Sequence, residues 1–338
     1  MSSTLTPAGS DQANTHSTPP RREITTKPRF SDRVFRGVVT AGGLSSLIIL
    51  GLILGFLLYE GYGTLKSQGI HFITGSNWNA VLNANGLFDP KASTFGLAAM
   101  LIGTMIVAVI AVIVGVPISV GAAIYLTFYA PQFIRKIMVM AIDLMAAFPS
   151  VLFGLWGFFV LEGSGEYWAK LLNKYLGWIP IFKLPAPYVQ HSPFIAGLVL
   201  AIMIIPIVTS ISREVFSQTP LDRIQAAYAL GATRWAMIRA VAFPYARSGI
   251  VGGVMLGLGR AMGETVAVYT VLNIVYQINW HILFSAGGNI ASMILLKFGE
   301  ASPQEIKALM AAGLVLFLLT LLVNSLANAI VNRSKSGR

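Results

Sequence analysis

Residues 213–247 read REVFSQTPLDRIQAAYALGATRWAMIRAVAFPYAR, a polar stretch between two long apolar segments. Pro220 suits the first turn of a helix that has Thr219 as its N-cap. Gly231 is placed to end that helix, and Thr233 is placed to cap a second one. The pattern predicts a helical hairpin, rich in alanine and glycine, that another protein's backbone can approach closely.

The composition indicates an integral membrane protein. Of 338 residues, 55% are hydrophobic and only 11% are charged, whereas a soluble chain carries roughly 25% charged residues. The chain has no cysteine, which excludes disulfides and thiol nucleophiles. Its four histidines are scattered, without metal-ligand spacing. No Gly-x-x-x-x-Gly-Lys-Ser/Thr motif is present, so any ATP would be hydrolysed on another polypeptide.

Six apolar segments are each near or above the ~20 residues that span a bilayer. They are 38–59, 95–128, 137–161, 193–212, 248–272 and 308–331. A polar, basic tail (1–36) and a short C-terminal tail (332–338) flank them. With both tails in the cytosol, the inside holds sixteen Lys and Arg and the outer loops seven, which fixes this orientation. The N-terminal tail is expected to be disordered and to anchor the topology, or alternatively to regulate.

The fifth apolar segment reads GIVGGVMLGLGRAMGETVAVYTV (249–271). Its glycines recur in the small-xxx-small pattern that lets membrane helices pack closely: Gly249, Gly253 and Gly257. Arg260 and Glu264 continue this row, so they are predicted to share one helix face. Arg260 lies thirteen residues beyond Arg247, about 20 Å along a helix and near mid-bilayer. A charge there must face a wet cavity or a protein interface.

An arginine at this depth suits a tetrahedral oxyanion. Its planar fork donates two hydrogen bonds and keeps its charge. Glu264, one turn away, would neutralise Arg260 in the empty path, and would accept a hydrogen bond from protonated phosphate that sulfate at neutral pH cannot donate. The alternative is a structural salt bridge between helices.

The third apolar segment carries Asp143 about 10 Å beyond Lys136. A carboxylate at that depth costs on the order of 2.5–3.5 kcal/mol on insertion scales, so it requires a partner or a cavity. Pairing with Arg213 or Arg234 is favoured over contact with a substrate. Pro149 interrupts the hydrogen bonding of the same segment.

Four motifs resemble importer permeases. QAAYALGATRWAMIRAVAFP (225–244) resembles the EAA loop of ATP-binding-cassette (ABC) importers, with Gln225 in place of Glu. GRAMGETVAV (259–268) and IDLMAAFPSVLFGLWG (142–157) resemble the PstC-type permease of the phosphate-specific importer. Trp78-Asn79 followed by Phe95-Gly96 resembles the same family, with alanine at position 80 where the family usually has proline.

The resemblance implies an all-α, six-span type I (MetI-like) ABC importer permease in the inner membrane, with 37–94 as first helix and outer loop and 95–331 as the permease domain. The EAA loop would be the cytosolic coupling helix that docks on the ATPase, through Gln225, Ala226, Ala227, Gly231, Ala232 and Arg234. The substrate pathway would contain Arg260, Glu264, Thr265, Asp143 and Ser150.

The implied partners are a PstA-type permease, two ABC ATPase subunits that hold ATP and magnesium, an extracytoplasmic phosphate-binding protein, phosphate and membrane lipid. No nucleic acid, and no cofactor or metal on this chain, is expected. The alternatives are a permease for sulfate or molybdate, an ATPase-independent secondary transporter or channel, and a non-transporting scaffold or sensor. A membrane enzyme is disfavoured, since no nucleophile–base pair is visible.

Overall fold

The computed structural model describes residues 29–81, 89 and 92–336. The chain divides into two units, Met1–Leu52 and Ile53–Arg338. In the first unit, the described residues form an exposed stretch of helix that begins at Phe30. The expectations for residues 1–28 and for Lys91 lie outside the described residues.

The described chain is almost entirely helical. Its elements are α1 Phe30–Gln68, α2 His71–Thr74, β1 Trp78–Asn79, β2 Thr94–Phe95, α3 Ala98–Ile124, α4 Gln132–Ala147, α5 Ser150–Trp156, α6 Glu162–Leu176, α7 Pro193–Ser217, α8 Leu221–Ala229, α9 Arg234–Met237, α10 Phe243–Gly263, α11 Val266–Val271, α12 Ile290–Phe298 and α13 Pro303–Ser336. Wider π-helical turns follow α3, α5 and α9, at Tyr125–Tyr129, Gly157–Leu161 and Ile238–Ala242, and a 3₁₀ turn occupies Pro180–Phe182.

Five described helical stretches are long and apolar enough to cross a membrane: Phe30–Gln68, Ala98–Tyr129, Pro193–Ser217, Arg234–Gly263 and Pro303–Ala327. A sixth span arises if the pair Gln132–Ala147 and Ser150–Leu176, bent by 97°, counts as one. The multi-span helical fold predicted from the sequence is therefore confirmed. The last helix extends to Ser336, into the segment expected to be a tail.

Two of the expected spans are broken. At Pro149 the sequence predicts an interrupted helix, and the structure shows a sharp corner because Phe148 and Pro149 both adopt extended backbone angles. The prediction that the fifth span, 248–272, is one continuous helix was wrong. The helix ends at Gly263, and a separate short helix starts at Val266.

The core of the second unit forms around α7, which packs against both α3 and α10. Small residues allow the close approach to α3. A Cβ on Gly115 would lie 3.0 Å from Ile204 Cγ1, and one on Gly197 would lie 2.4 Å from Ile110 Cγ2. This packing holds α7 and α10 in fixed positions along the site described below.

A second core lies beside β1 and β2, which pair antiparallel with Trp78 opposite Phe95. The two halves of the Trp-Asn and Phe-Gly motif are therefore neighbours. Trp78 is buried, and its Nε1–H donates to Glu305 Oε1 at 2.9 Å. Burial, with a smaller contribution from the Glu305 carboxylate, raises the pKa of Tyr276 to about 12. The Tyr276 hydroxyl is buried without a hydrogen-bond partner among the described residues.

Candidate functional site

The α8–α9 hairpin turns at Gly231, whose φ of +80° is a left-handed conformation that favours glycine. Its N–H donates to Tyr228 O at 2.9 Å, and Ala232 N–H donates to Ala227 O at 3.0 Å. This pair of bonds closes the end of α8. Thr233 Oγ1 then accepts the N–H three residues later at 3.2 Å and caps α9. The predicted roles of Gly231 and Thr233 in the helix ends are confirmed.

The prediction that Thr219 caps α8 was wrong. Pro220 occupies the N-cap position and provides no side-chain bond. Thr219 Oγ1 instead donates to Phe216 O at 2.8 Å. The hydroxyl thus satisfies a carbonyl at the end of α7, where the last turn lacks intrahelical partners.

The hairpin presents large apolar side chains to its surroundings. Leu221, Tyr228, Leu230 and Trp235 are exposed, Leu230 by 90%. Gln225 and Ala226 are also exposed, whereas Ala227 and Ala232 are half-buried. A cavity of about 610 Å³ is lined by Ala226, Ala227 and Ala232 from the hairpin and by Pro244 and Tyr245 from α10. An exposed apolar surface of this kind is typical of a contact with another protein.

Arg234, the remaining residue expected in the coupling surface, is exposed on α9. Its guanidinium carbon lies 5.3 Å from the ring centroid of Tyr129, in the π-helical turn after α3. This distance is within range of a cation–π interaction. Arg234 therefore holds the hairpin against the end of α3.

The glycine row of α10 faces α7 at very short range. A Cβ added to Gly249 would lie 2.4 Å from Val215 Cγ2. One added to Gly253 would lie 3.0 Å from Ile211 Cγ2, and one added to Gly257 would lie 2.9 Å from Val208 Cγ2. A Cβ on Gly249 or Gly257 would lie closer than 3.0 Å to α7, so the neighbouring side chain would have to shift, and one on Gly253 would press Ile211 by a few tenths of an ångström. The two helices are locked together between the hairpin and Arg260.

Arg260 lies in the last turn of α10 and is exposed. Its side chain lines a cavity of about 640 Å³ bounded by α7, α10 and α13, together with Ile207, Gly252, Met255, Leu256, Gly259 and Asn324. Arg260 forms no ion pair or side-chain hydrogen bond with any residue that the structure describes. An unneutralised guanidinium on a membrane helix requires water, an anion or a protein partner.

The sequence predicted that Glu264 and Arg260 share one helix face. This prediction was wrong, because α10 ends at Gly263, between the two residues. Glu264 adopts an extended backbone conformation and is only 9% exposed. Its Oε1 accepts the Ala267 N–H at 3.2 Å, at the start of α11, and its backbone carbonyl accepts from Asn289 Nδ2 at 2.9 Å. No ion pair joins Glu264 to Arg260 within the described chain. The carboxylate thus holds the α10–α11 break together.

Asn289 connects this break to two other helices. Its Oδ1 accepts the Ser292 N–H at 2.7 Å and caps α12. Directly beside it, the Ile290 N–H donates to Thr104 Oγ1 of α3 at 3.1 Å. Every polar group named here is buried and bonded within the chain, so the α10–α11 break is a rigid structural feature.

The other residues of the expected pathway lie apart from Arg260. Thr265 follows the break, and its Oγ1 donates to Gly263 O at 3.2 Å. Ser150 opens α5 beside the corner at Pro149. Neither residue lines the Arg260 cavity.

Asp143 lies in a separate cavity of about 740 Å³ between α4 and α7, which Arg135, Lys136 and Arg213 also line. The expected direct pairing of Asp143 is not formed: no basic group of the described residues lies within 4.0 Å of its carboxylate. Asp143 is exposed, as are Arg135 and Lys136. The Asp143 carboxylate, like the Arg260 guanidinium, therefore requires water, an ion or a protein partner outside the described chain.

Residues 115–336 match the family described as the inner membrane component of binding-protein-dependent transport systems. The chain belongs to this family. The match covers the α8–α9 hairpin and α10, α11 and α13, and it includes both Arg260 and Asn324.

Relatives of this permease cover nearly its whole length. It is 41% identical over 312 residues to the phosphate transport system permease protein PstC 2 of Mycobacterium tuberculosis, covering 91% of this chain and 94% of the relative. It is 36% identical over 336 residues to the phosphate transport system permease protein PstC of Xylella fastidiosa, covering 98% of each chain.

The permease also resembles a chain in the crystal structure of a bacterial ABC transporter involved in the import of the acidic polysaccharide alginate. The TM-score is 0.52 and the sequence identity is 15%. The similarity covers 89% of this chain and 99% of that chain. It supports the ABC permease fold.

Two residues of the site were missed from the sequence. Asn324 gives α13 a polar group in the Arg260 cavity, and Asn289 holds the break after α10. An asparagine within the apolar sixth segment was a visible signal for Asn324. Asn289 had no such signal, because it lies 25 residues from the carbonyl that it binds.

Proposed function

We propose that this permease carries inorganic phosphate inward across the cytoplasmic membrane as one subunit of an ATP-driven importer. The observation that carries the proposal is the Arg260 guanidinium, which lines a cavity beside a membrane helix and has no partner among the described residues. A fixed cation with two parallel donors suits a tetrahedral oxyanion. The phosphate transport named for the two relatives supports phosphate as that anion.

The Arg260 cavity is open in the single chain, which supports a second, PstA-type permease that covers it and completes the path. An extracytoplasmic binding protein would deliver phosphate at the end of the molecule opposite the hairpin. Both termini would lie in the cytosol, as the distribution of Lys and Arg favours. Asp143, Ser150 and Thr265 are retained as proposed pathway residues, and Glu264 as a residue that shapes the path.

The hairpin would dock on one of two ABC ATPase subunits, which hold ATP and magnesium. Its exposed apolar residues and the cavity beside Ala226, Ala227 and Ala232 support this contact. Closure of the ATPases would displace the hairpin, and α10 would follow because it is locked to α7. The Arg260 cavity would then open to one side of the membrane at a time, and the anion would be released when its water access changes.

The test uses the complete importer in liposomes, with labelled phosphate outside and ATP at the hairpin side. We expect Arg260→Ala to lower phosphate uptake at least a hundredfold, and Arg260→Lys at least tenfold, since lysine keeps the charge but loses the fork. Arg36→Lys, the same change on α1, should leave uptake unchanged. Normal uptake by an assembled Arg260→Ala importer would refute the proposal.

Two further arms separate the alternatives. A hundredfold excess of sulfate or molybdate should not reduce phosphate uptake, whereas a permease for those anions would be inhibited. Uptake should stop when ATP is omitted, whereas a secondary transporter or channel would continue on the gradient alone.

A further inference from the structure

Asn324 is the second polar side chain in the Arg260 cavity. It lies on α13, whose spanning part is otherwise largely apolar. Its Oδ1 is buried and has no hydrogen-bond partner among the described residues. The side-chain nitrogen lies 3.8 Å from the position of a Cβ added to Gly259, the neighbour of Arg260. The amide therefore contacts α10 beside Gly259 and lines the same cavity as Arg260, and its acceptor has no partner among the described residues.

No hydrogen bond within the described chain accounts for this acceptor. Asparagine in membrane helices commonly links two helices by a hydrogen bond, yet Asn324 forms none with the described chain. Thr320, one turn earlier on α13, shows the contrast, because its hydroxyl donates to Leu316 O of its own helix at 2.8 Å. A buried amide oxygen without a partner is uncommon and calls for an explanation.

Glu264 does not fill the role of acceptor beside Arg260. Its carboxylate is buried and holds the first turn of α11. Asn324 is thus the residue of this cavity that combines a free acceptor with a free donor and adds no charge that would compete with the anion.

We propose that Arg260 and Asn324 together form the anion subsite, and that Asn324 selects an oxyanion that carries a proton. The inference rests on the proposed function and names the selectivity residue of that site. Arg260 would donate two hydrogen bonds to two oxygens of the anion. The Asn324 amide would donate one bond, and its Oδ1 would accept the P–OH proton. Sulfate at neutral pH has no proton to offer, so it would leave Oδ1 unpaired.

The first experiment compares substitutions in the reconstituted importer. Asn324→Leu replaces both polar groups with methyl groups in a side chain of the same branched shape, and we expect it to lower phosphate uptake about tenfold. Asn324→Ser, which keeps a small donor and acceptor, should retain more than a third of native uptake. The matched control is Thr320→Val, which removes a hydroxyl from the same helix outside the cavity and should leave uptake unchanged. Assembly is checked by co-purification of the subunits.

A double substitution tests whether both residues act on the same anion. In an Arg260→Lys background, Asn324→Leu should lower uptake less than threefold further, because the two changes affect one site. Native uptake in the assembled Asn324→Leu importer would overturn the inference while leaving the phosphate function intact. If the native importer carried no phosphate, or if Arg260→Ala had no effect, the proposed function itself would fail.

The second experiment does not depend on transport. The purified complex, without binding protein, is heated in sodium phosphate or in sodium sulfate at equal ionic strength, because a bound anion raises the unfolding temperature. Phosphate should stabilise the native complex more than sulfate, and Asn324→Leu should abolish the difference. Equal shifts by the two anions in the native complex would contradict the role of Asn324 as an acceptor. Should Asn324→Leu fail to assemble, Asn324→Ala, which also removes both polar groups, must narrow the difference between the two anions for the inference to stand.

Discussion

The two ends of α10 are built in opposite ways. At the hairpin end, Leu221, Leu230 and Trp235 are exposed large apolar side chains that the described chain does not cover. At the other end, Glu264 and Asn289 are buried polar side chains that form hydrogen bonds within the chain. The first end leaves apolar surface exposed in the single chain, whereas the second satisfies its polar groups internally.

This difference separates residues that bind from residues that support. Glu264 and Arg260 are four residues apart and oppositely charged, and the sequence placed both in the substrate pathway. The structure satisfies Glu264 internally and leaves Arg260 without a described partner. A buried, bonded group stabilises the fold, and an unbonded group in a cavity is available for a ligand. The same test identifies Asn324.

Among the substitutions that test this comparison of the two ends, the largest effect is expected at the hairpin end. Gly231→Val should lower phosphate uptake more than tenfold and reduce co-purification of the ATPase, because a β-branched residue is strained at a φ of +80°. Gly231→Asn is the matched control, since asparagine tolerates this conformation. An importer with Gly231→Val that binds its ATPase normally would show that the turn does not position the docking surface.

At the opposite end, Asn289→Ala should destabilise the folded chain by about 2–6 kcal/mol, since two buried hydrogen bonds are lost at roughly 1–3 kcal/mol each. The unfolding temperature in detergent measures the effect. Asn77→Ala, the same change at an exposed position, should be nearly neutral. If both variants unfolded at the same temperature, the α10–α11 break would not depend on Asn289.

The segment between the two ends can be tested through its glycines. Gly249→Val should destabilise the chain by about 1–3 kcal/mol, because the added side chain would overlap Val215. Gly252→Ala adds a Cβ where nothing lies within 4 Å and should be neutral or slightly stabilising. Equal unfolding temperatures for the two variants would mean that α10 can move away from α7 at no cost.

The smallest effect concerns Tyr276, which lies in the loop between α11 and α12. The unfolded chain loses the phenolic proton near pH 10, whereas the folded chain keeps it until about pH 12. The free energy of unfolding should therefore fall as the pH rises from 10 to 12. Tyr276→Phe should remove this part of the fall and, at pH 8, raise stability by up to about 1 kcal/mol, because an unpaired buried hydroxyl is lost.

Thermal unfolding at pH 8, 10 and 11 checks the Tyr276 prediction. Tyr175→Phe makes the same change at an exposed position and should leave the pH dependence as it is. A parallel decline for the native chain and Tyr276→Phe would show that Tyr276 is not the group that titrates.

Local chemistry made much of this fold predictable. Gly231 and Thr233 act on their immediate neighbours, so the hairpin could be placed from six or seven residues. The regular spacing of Gly249, Gly253 and Gly257 likewise indicated one packed face, and the structure places Val208, Ile211 and Val215 against it.

The parts that were missed depend on contacts distant in sequence. The sequence GETV (263–266) favours a continuing helix. The break there is stabilised by a hydrogen bond from Asn289, which lies 25 residues further along the chain. Thr219 could serve either the helix before it or the helix after it, and spacing alone could not decide between them. Asp143 was expected to pair because of its depth, but the basic residues that line its cavity lie more than 4.0 Å from its carboxylate.

The interlocked glycine face also sets how α10 and α7 can move. A shift of α10 relative to α7 would require Val208, Ile211 and Val215 to repack, whereas a movement of both helices as one body would keep these contacts. We therefore expect a displacement of the hairpin to carry α7 and α10 together, and the Arg260 guanidinium with them.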